Sequence, residues 1–249
     1  MKIKYFFILL CACLIVTPAN YSSAGNAEID QLLDRIETAR TSEDQIEWET
    51  VADSKVSEFD KKGQVSKETR MKRRMITKKD GKIENEIIEV LEIEDGKTND
   101  ITQKSIEQSR KREEKDNGEE AKGISYGEDQ LFPFDNNSRP KYSYHQLDDS
   151  QVDEKPVFVI ETKAKESDTD TLEGIYYVDK ELFKILKLVV TPSKMPMFIK
   201  DLSIEIDYKI LPENISIMDK TITKMKGKFL FKRFDILMEE NYTENVIRR

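Results

Sequence analysis

The run Leu202-Ser-Ile-Glu-Ile-Asp-Tyr-Lys-Ile210 alternates strictly between apolar and polar residues. Leu202, Ile204, Ile206, Tyr208 and Ile210 share one parity, while Ser203, Glu205, Asp207 and Lys209 share the other. Successive side chains of a strand point to opposite faces, so this run predicts a sheet with one apolar face and one wetted face. Such a sheet must cover its apolar face or use it to hold something apolar.

Comparable runs fill most of the chain. Trp48 to Phe59, Val65 to Thr77 and Lys82 to Ile93 are predicted strands, separated by Lys61-Lys-Gly63 and Lys79-Asp-Gly81. Further strands are predicted at Tyr142 to Gln146, Pro156 to Lys163, Gly174 to Asp179, Ile185 to Thr191, Leu202 to Ile210, Ile215 to Lys224 and Phe229 to Thr243. The last of these is long enough for two strands, or for one bent at Lys232-Arg233. Two prolines make Thr191 to Phe198 irregular, because proline cannot donate to a ladder. Ahead of the strands, Ile29, Leu32, Leu33 and Ile36 form one stripe at helical spacing, predicting a helix over Ala27 to Thr38. Asp100 to Asp116, almost wholly polar and carrying the charged run Arg110 to Lys115, predicts an exposed helix. A Gly- and Glu-rich loop to Asp129 follows, then the apolar plug Leu131-Phe-Pro-Phe134.

The second hairpin tests the register. A two-residue Asp80-Gly81 turn would set Met75 opposite Glu86 and Met71 opposite Val90. A three- or five-residue loop instead keeps Met71 and Met75 on one face with Ile83, Ile87 and Leu91. A one-residue slip reverses every side chain, so the longer loop is the expectation. It leaves Arg70, Lys72 and Arg74 facing Glu84, Glu86 and Glu92 as a charge ladder on the wetted face.

The N-terminus predicts export. Lys2 and Lys4 precede the apolar stretch Tyr5 to Val16, and Ser22-Ser-Ala24 offers a small-residue cleavage site, so residues 1–24 read as a signal peptide. The apolar stretch is short for a membrane span, and none follows it. Leu10-Cys-Ala-Cys13 approaches a lipobox, which would acylate Cys13, but Leu14-Ile-Val16 continues the apolar core beyond it. Cleavage near Ala24 removes both cysteines and leaves about 225 residues, enough for one domain with its own core. Losing Lys2 and Lys4 takes the formal charge from −8 to −10. That balance speaks against nucleic acid and against anionic lipid as partners of the chain as a whole.

Catalytic patterns are missing. His145 is the single histidine, so no transition-metal set can be built around it after loss of the cysteines. There is no Gly-x-Ser-x-Gly elbow, no phosphate-binding Gly loop and no His-Glu-x-x-His helix. The expectation is a non-enzymatic protein with no metal and no cofactor. The candidate site is apolar instead: Met71, Met75, Ile87, Leu91, Ile204, Ile206 and Tyr208. These residues either are core under covering helices or line a pocket for acyl chains, for which Met and aromatic side chains are adaptable.

One stretch bears on that choice. Glu173-Gly-Ile-Tyr-Tyr-Val-Asp-Lys-Glu-Leu-Phe-Lys-Ile-Leu-Lys187, with Thr191-Pro-Ser-Lys-Met-Pro-Met-Phe-Ile-Lys200 and Gly227-Lys-Phe-Leu-Phe-Lys-Arg-Phe234, resembles the outer-membrane lipoprotein-sorting, LolA-like proteins. The resemblance covers Glu173 to Thr243. It implies an α+β fold of LolA/LppX type: a strongly curved antiparallel half-barrel with helices covering its concave face around a hydrophobic cavity. On this basis residues 25–249 form one LolA-like domain, with 100–129 a charged insertion. The implied role is a periplasmic carrier of lipoprotein acyl chains or another lipid. No functional residue carries over from the family's motifs. The alternative is an envelope interaction module with a filled core, docking to a protein partner through Arg110 to Lys115.

Overall fold

Eleven strands pair side by side, each antiparallel to its neighbours, into one open sheet. The computed structural model describes residues 26–41, 46–78, 83–115, 128–230 and 232–248. Helix α1 (Asn26–Thr41) leads into β1 (Glu47–Phe59), β2 (Val65–Thr77), β3 (Ile83–Glu94) and β4 (Lys97–Asp100). Helix α2 (Thr102–Lys115), a helical turn α3 (Glu128–Leu131) and a 3₁₀ turn (Arg139–Lys141) follow. The chain then runs through β5 (Tyr142–Val152), β6 (Lys155–Ala164), β7 (Leu172–Asp179), β8 (Ile185–Pro192), β9 (Ile199–Ile210), β10 (Ser216–Phe229) and β11 (Lys232–Arg248). The expected leader, with Cys11 and Cys13, lies outside the described residues, as do residues 116–127, which hold most of the expected Gly- and Glu-rich loop.

The order across the sheet is β4-β3-β2-β1-β11-β10-β9-β8-β7-β6-β5. Two simple meanders, β1 to β4 and β5 to β11, are therefore fused by pairing β1 with β11. The edges are β4 and β5, and the segment between them in sequence joins opposite ends of the sheet. Its apolar plug is buried on the way: Leu131, Phe132 and Phe134 are 8, 5 and 0 % exposed.

The plug and α1 fill one face of β6 to β9. The stripe Ile29, Leu32, Leu33 and Ile36 clusters with Phe134, Ile160, Tyr176, Leu188 and Ile206. Phe134 meets Tyr176 edge-on, ring centres 4.9 Å apart, a geometry favoured by the aromatic quadrupoles. Arg139 clamps this layer, giving one N–H to the Phe134 carbonyl at 2.6 Å and another to Glu37 on α1 at 3.0 Å. Helix α2 instead packs beside β3, where the Thr102 hydroxyl accepts the Val90 N–H at 2.9 Å. A smaller cluster on the opposite face joins Val157, Val159 and Leu186.

Several boundaries differ from the sequence expectation. The two-residue Asp-Gly hairpin turn is Asp95-Gly96, with φ of 51° and 72°, and it creates β4, which was not anticipated. Between β2 and β3, Thr77 pairs with Ile83, and residues 79–82 lie outside the described residues. The odd-with-odd pairing holds there, with Arg73 opposite Ile87 and Met75 opposite Asn85. The register then slips at Ile88, so that Met71 faces Val90 and Arg70 faces Leu91. Leu91 is thereby turned to the opposite face from Met71 and Met75, because the extra residue of a bulge inverts the parity beyond it. Of the charge ladder, Arg74 and Glu86 bond at 2.7 Å, whereas Arg70 bonds Glu68 and Glu92 bonds Lys67. The C-terminal run breaks at Leu230, so Phe229 ends β10 and Lys232 starts β11.

Phe134→Ala should cost about 3–5 kcal/mol, since it empties a fully buried site between α1 and the sheet. Urea unfolding followed by circular dichroism measures this loss.

Candidate functional site

Directly paired residues lie on the same face of a sheet, so the registers trace one row across ten strands. It runs Gln146, Ile160, Tyr176, Leu188, Ile206, Thr221, Glu240, Ser54, Met71, Val90. From Ile160 to Ile206 the row is apolar and covered by α1 and the plug. At β10 it turns polar, and at Met71 it becomes apolar again. Thr221, Glu240 and Ser54 are nevertheless 8, 4 and 5 % exposed.

A buried charge needs partners, and Glu240 has three. Arg73 donates to its Oε1 at 2.7 Å, Tyr242 donates to Oε2 at 2.5 Å, and the Ser54 hydroxyl also donates to Oε1. Tyr242, Ala52 and Arg73 are themselves paired across β11, β1 and β2 in the adjacent row. Burial, and then the neighbouring Glu240 charge, push the Tyr242 phenol well above its ordinary value. The Arg73 side chain keeps about a quarter of its surface exposed. The cluster thus joins the filled core to a stretch of the same face still in contact with solvent.

The sequence candidates divide between these regions. Ile204 and Ile206 are 9 and 2 % exposed within the core cluster, and Tyr208 packs against it. Met71, Met75 and Ile87 share the same face but are half-buried and lie outside both buried clusters. Met225, Ile236 and Met238 extend this half-buried apolar stretch on β10 and β11. Leu91 does not join them. Arg73, Ser54, Glu240 and Tyr242 were not anticipated, although a signal for two of them existed. Arg73 has the parity of Met71 and Met75, and Glu240 that of Ile236 and Met238.

Two hollows lie elsewhere. One of about 590 Å³ lies between β3 and α2, lined by Ile88, Glu89, Asp100, Ile101 and Thr102. The other, about 350 Å³, lies between α1 and Phe183. His145 is half exposed, with Nδ1 4.0 Å from Glu161. Among the described residues no group of three or more His, Cys, Asp or Glu side chains is placed to hold a metal, and no helix is long and apolar enough to cross a membrane.

No family model and no curated protein sequence matches the chain. Solved structures do match. A domain assigned to outer membrane lipoprotein sorting from Vibrio parahaemolyticus shares 12 % identity at a TM-score of 0.42, covering 90 % of this chain and 94 % of that one. A DUF1329 family protein from Desulfovibrio piger shares 10 % identity at a TM-score of 0.41, covering 88 and 91 %. A LolA superfamily protein from Nitrosomonas europaea shares 10 % at 0.36, covering 88 and 93 %. The chain is similar to these proteins at low identity and low TM-score.

Glu240→Gln removes the charge that Arg73 pairs with and should cost about 1–3 kcal/mol, less than a fully buried pair because Arg73 is partly wetted. Arg73→Met with Glu240→Leu together should cost less than Glu240→Gln alone. A double-mutant cycle in urea checks both. Tyr144, Tyr176 and Tyr242 all have phenols raised in the fold, chiefly by burial. Folding therefore favours the protonated phenols, and this contribution is complete below the unfolded value of about pH 10 and lost as pH rises through the folded values. The unfolding midpoint should be insensitive to these groups up to about pH 10 and fall above it, with Tyr242→Phe making the fall shallower.

Proposed function

We propose that the chain is a non-enzymatic binding or carrier protein of the cell envelope that holds an acyl chain, from a lipoprotein or another lipid, on the half-buried face of β1, β2, β10 and β11. In this proposal the sheet curls as a half-barrel, with α1 and the plug filling one end of its inner wall. Residues 1–24 direct export to the periplasm, and acylation at Cys13 is the less favoured route to the envelope.

The observation that carries the proposal is the set of half-buried apolar side chains beyond the core. Met71, Met75, Met225 and Met238 occupy it, and unbranched, polarizable Met adapts to flexible apolar ligands. The Arg73–Glu240–Tyr242 cluster supplies a polar boundary at its edge, where a carbonyl or head group can be placed. Ile204, Ile206 and Tyr208 then act as packed wall, and Met71, Met75 and Ile87 as contact surface. The sequence resemblance of Glu173 to Lys187 to LolA-like proteins points the same way.

The filled layer between α1 and β6 to β9 favours a second reading, an envelope interaction module with no ligand space. It requires that deleting residues 100–129 abolish capture of a partner while acyl probes never bind.

Organic extraction of the protein from envelopes, with mass spectrometry of the extract, should yield a co-purifying acyl lipid. A fluorescent fatty-acid probe should bind, and Met71→Glu with Met75→Glu should weaken it about tenfold or more by placing charge in the contact surface. A folded protein with neither lipid nor probe bound rules the proposal out.

A further inference from the structure

Among the described residues, exposed large apolar side chains concentrate at the end of the sheet where the β8–β9 loop meets the β10–β11 turn. Met197, Phe198, Phe229 and Leu230 are 78, 48, 53 and 70 % exposed. They come from the β8–β9 loop and from the β10–β11 hairpin end, which the register brings together. Gly227 pairs with Ile199, the Lys228 N–H donates to the Phe198 carbonyl at 2.9 Å, and the Phe198 and Phe229 rings meet edge-on at 4.9 Å. Gly227 makes the approach possible, since a Cβ there would lie 2.4 Å from the Phe198 carbonyl oxygen.

Stability does not account for this tip. Phe198 and Leu230 sit at φ of 72° and 52°, a region that bulky side chains rarely occupy and that Gly or Asn would fill at less cost. Lys228 lies directly opposite Arg233, a like-charge pair that repels in water. Residues at odds with local stability concentrate where a surface has work to do.

The charge around the tip identifies the partner. Within 194–201 and 226–235 stand six basic residues, Lys194, Lys200, Lys226, Lys228, Lys232 and Arg233, against Asp201 and Asp235. This gives a local +4 in a chain whose total is −8. All six basic residues are exposed, with Lys226 near Asp235 at 3.5 Å. Exposed aromatic and aliphatic side chains ringed by cations match an anionic bilayer surface: the apolar groups enter the acyl boundary while the lysines meet phosphates. The whole-chain charge, which disfavours anionic lipid, conceals this local reversal.

We propose that Met197, Phe198, Phe229 and Leu230, with their basic rim, form a tip that docks the protein on anionic phospholipid membranes. The surface is distinct from the acyl-contact face and stands whether or not that face binds lipid.

The test uses the full chain and a local probe, because the apolar N-terminal stretch could itself partition. With Trp48→Phe in place, Leu230→Trp puts the sole tryptophan at the tip. On vesicles of phosphatidylcholine with about a quarter phosphatidylglycerol, its emission should shift to the blue and brominated lipid should quench it; pure phosphatidylcholine should give little of either. Raising salt, or Lys228→Glu with Arg233→Glu, should weaken partitioning at this site about tenfold. Met197→Ser in the same background should also reduce quenching. An unshifted, unquenched tryptophan on bound vesicles, or quenching indifferent to lipid charge and to these substitutions, overturns the proposal. So does a folded protein that leaves anionic vesicles unbound, including one that instead prefers an acidic protein surface. Retained fatty-acid probe binding in the charge-reversed variant separates failure of the tip from failure of the acyl site.

Discussion

The pairing of β1 with β11 is the contact on which the rest of the sheet depends. Each meander alone is a run of local hairpins, with β4 and β1 at the edges of one and β5 and β11 at the edges of the other. Joining β1 to β11 fixes two strands nearly two hundred residues apart in sequence, at an entropic cost that grows only slowly with loop length. It removes two exposed edges at once. It also brings Ser54 opposite Glu240, and Ala52 opposite Tyr242, so the buried polar cluster exists only because this seam exists. Arg73 then reaches Glu240 from the next strand.

One pleated face does two jobs on either side of that seam. Over β6 to β9 it meets a helix stripe and an aromatic plug, and the result is ordinary close-packed core. From β10 the same row carries Thr221, Glu240 and Ser54, and the buried Glu240 charge, which cannot be left unpaired, is tied to Ser54, Arg73 and Tyr242. Beyond them the apolar side chains return, half-buried at Met71 and buried at Val90. Filled core and candidate contact surface are thus one continuous surface, separated by a polar boundary that fixes where the first ends.

Most strands were legible because period-two alternation is a local property, readable within eight or ten residues. Leu202 to Ile210 reads correctly for this reason, as does the α1 stripe. The errors fall where one residue changes the parity or the loop. The bulge at Ile88 turned Leu91 away from Met71; the doubled apolar pairs Ile87-Ile88 and Val90-Leu91 break the alternation there, but a broken period does not by itself say which residue is the extra one. The two-residue turn at Asp95-Gly96, and the short strand β4 that it creates, were not anticipated. The candidate site was legible only in its apolar part. Arg73 and Glu240 could be seen to break an apolar parity, but their partnership spans 167 residues and depends on the β1–β11 register.

Average properties were the least reliable guide. A formal charge of −8 describes a molecule whose charges mix evenly, and here they do not. Lys194 comes from the β8–β9 loop, Lys200 from the start of β9, and Lys226, Lys228, Lys232 and Arg233 from the hairpin beside them, so folding concentrates cations that the sequence spreads over forty positions. Electrostatic interaction at a surface is felt within roughly one Debye length, about 8–10 Å, and within that range the tip is basic whatever the total. The same folding step places four bulky apolar side chains among those cations. A partner approaching that end of the sheet meets a cationic, partly apolar surface.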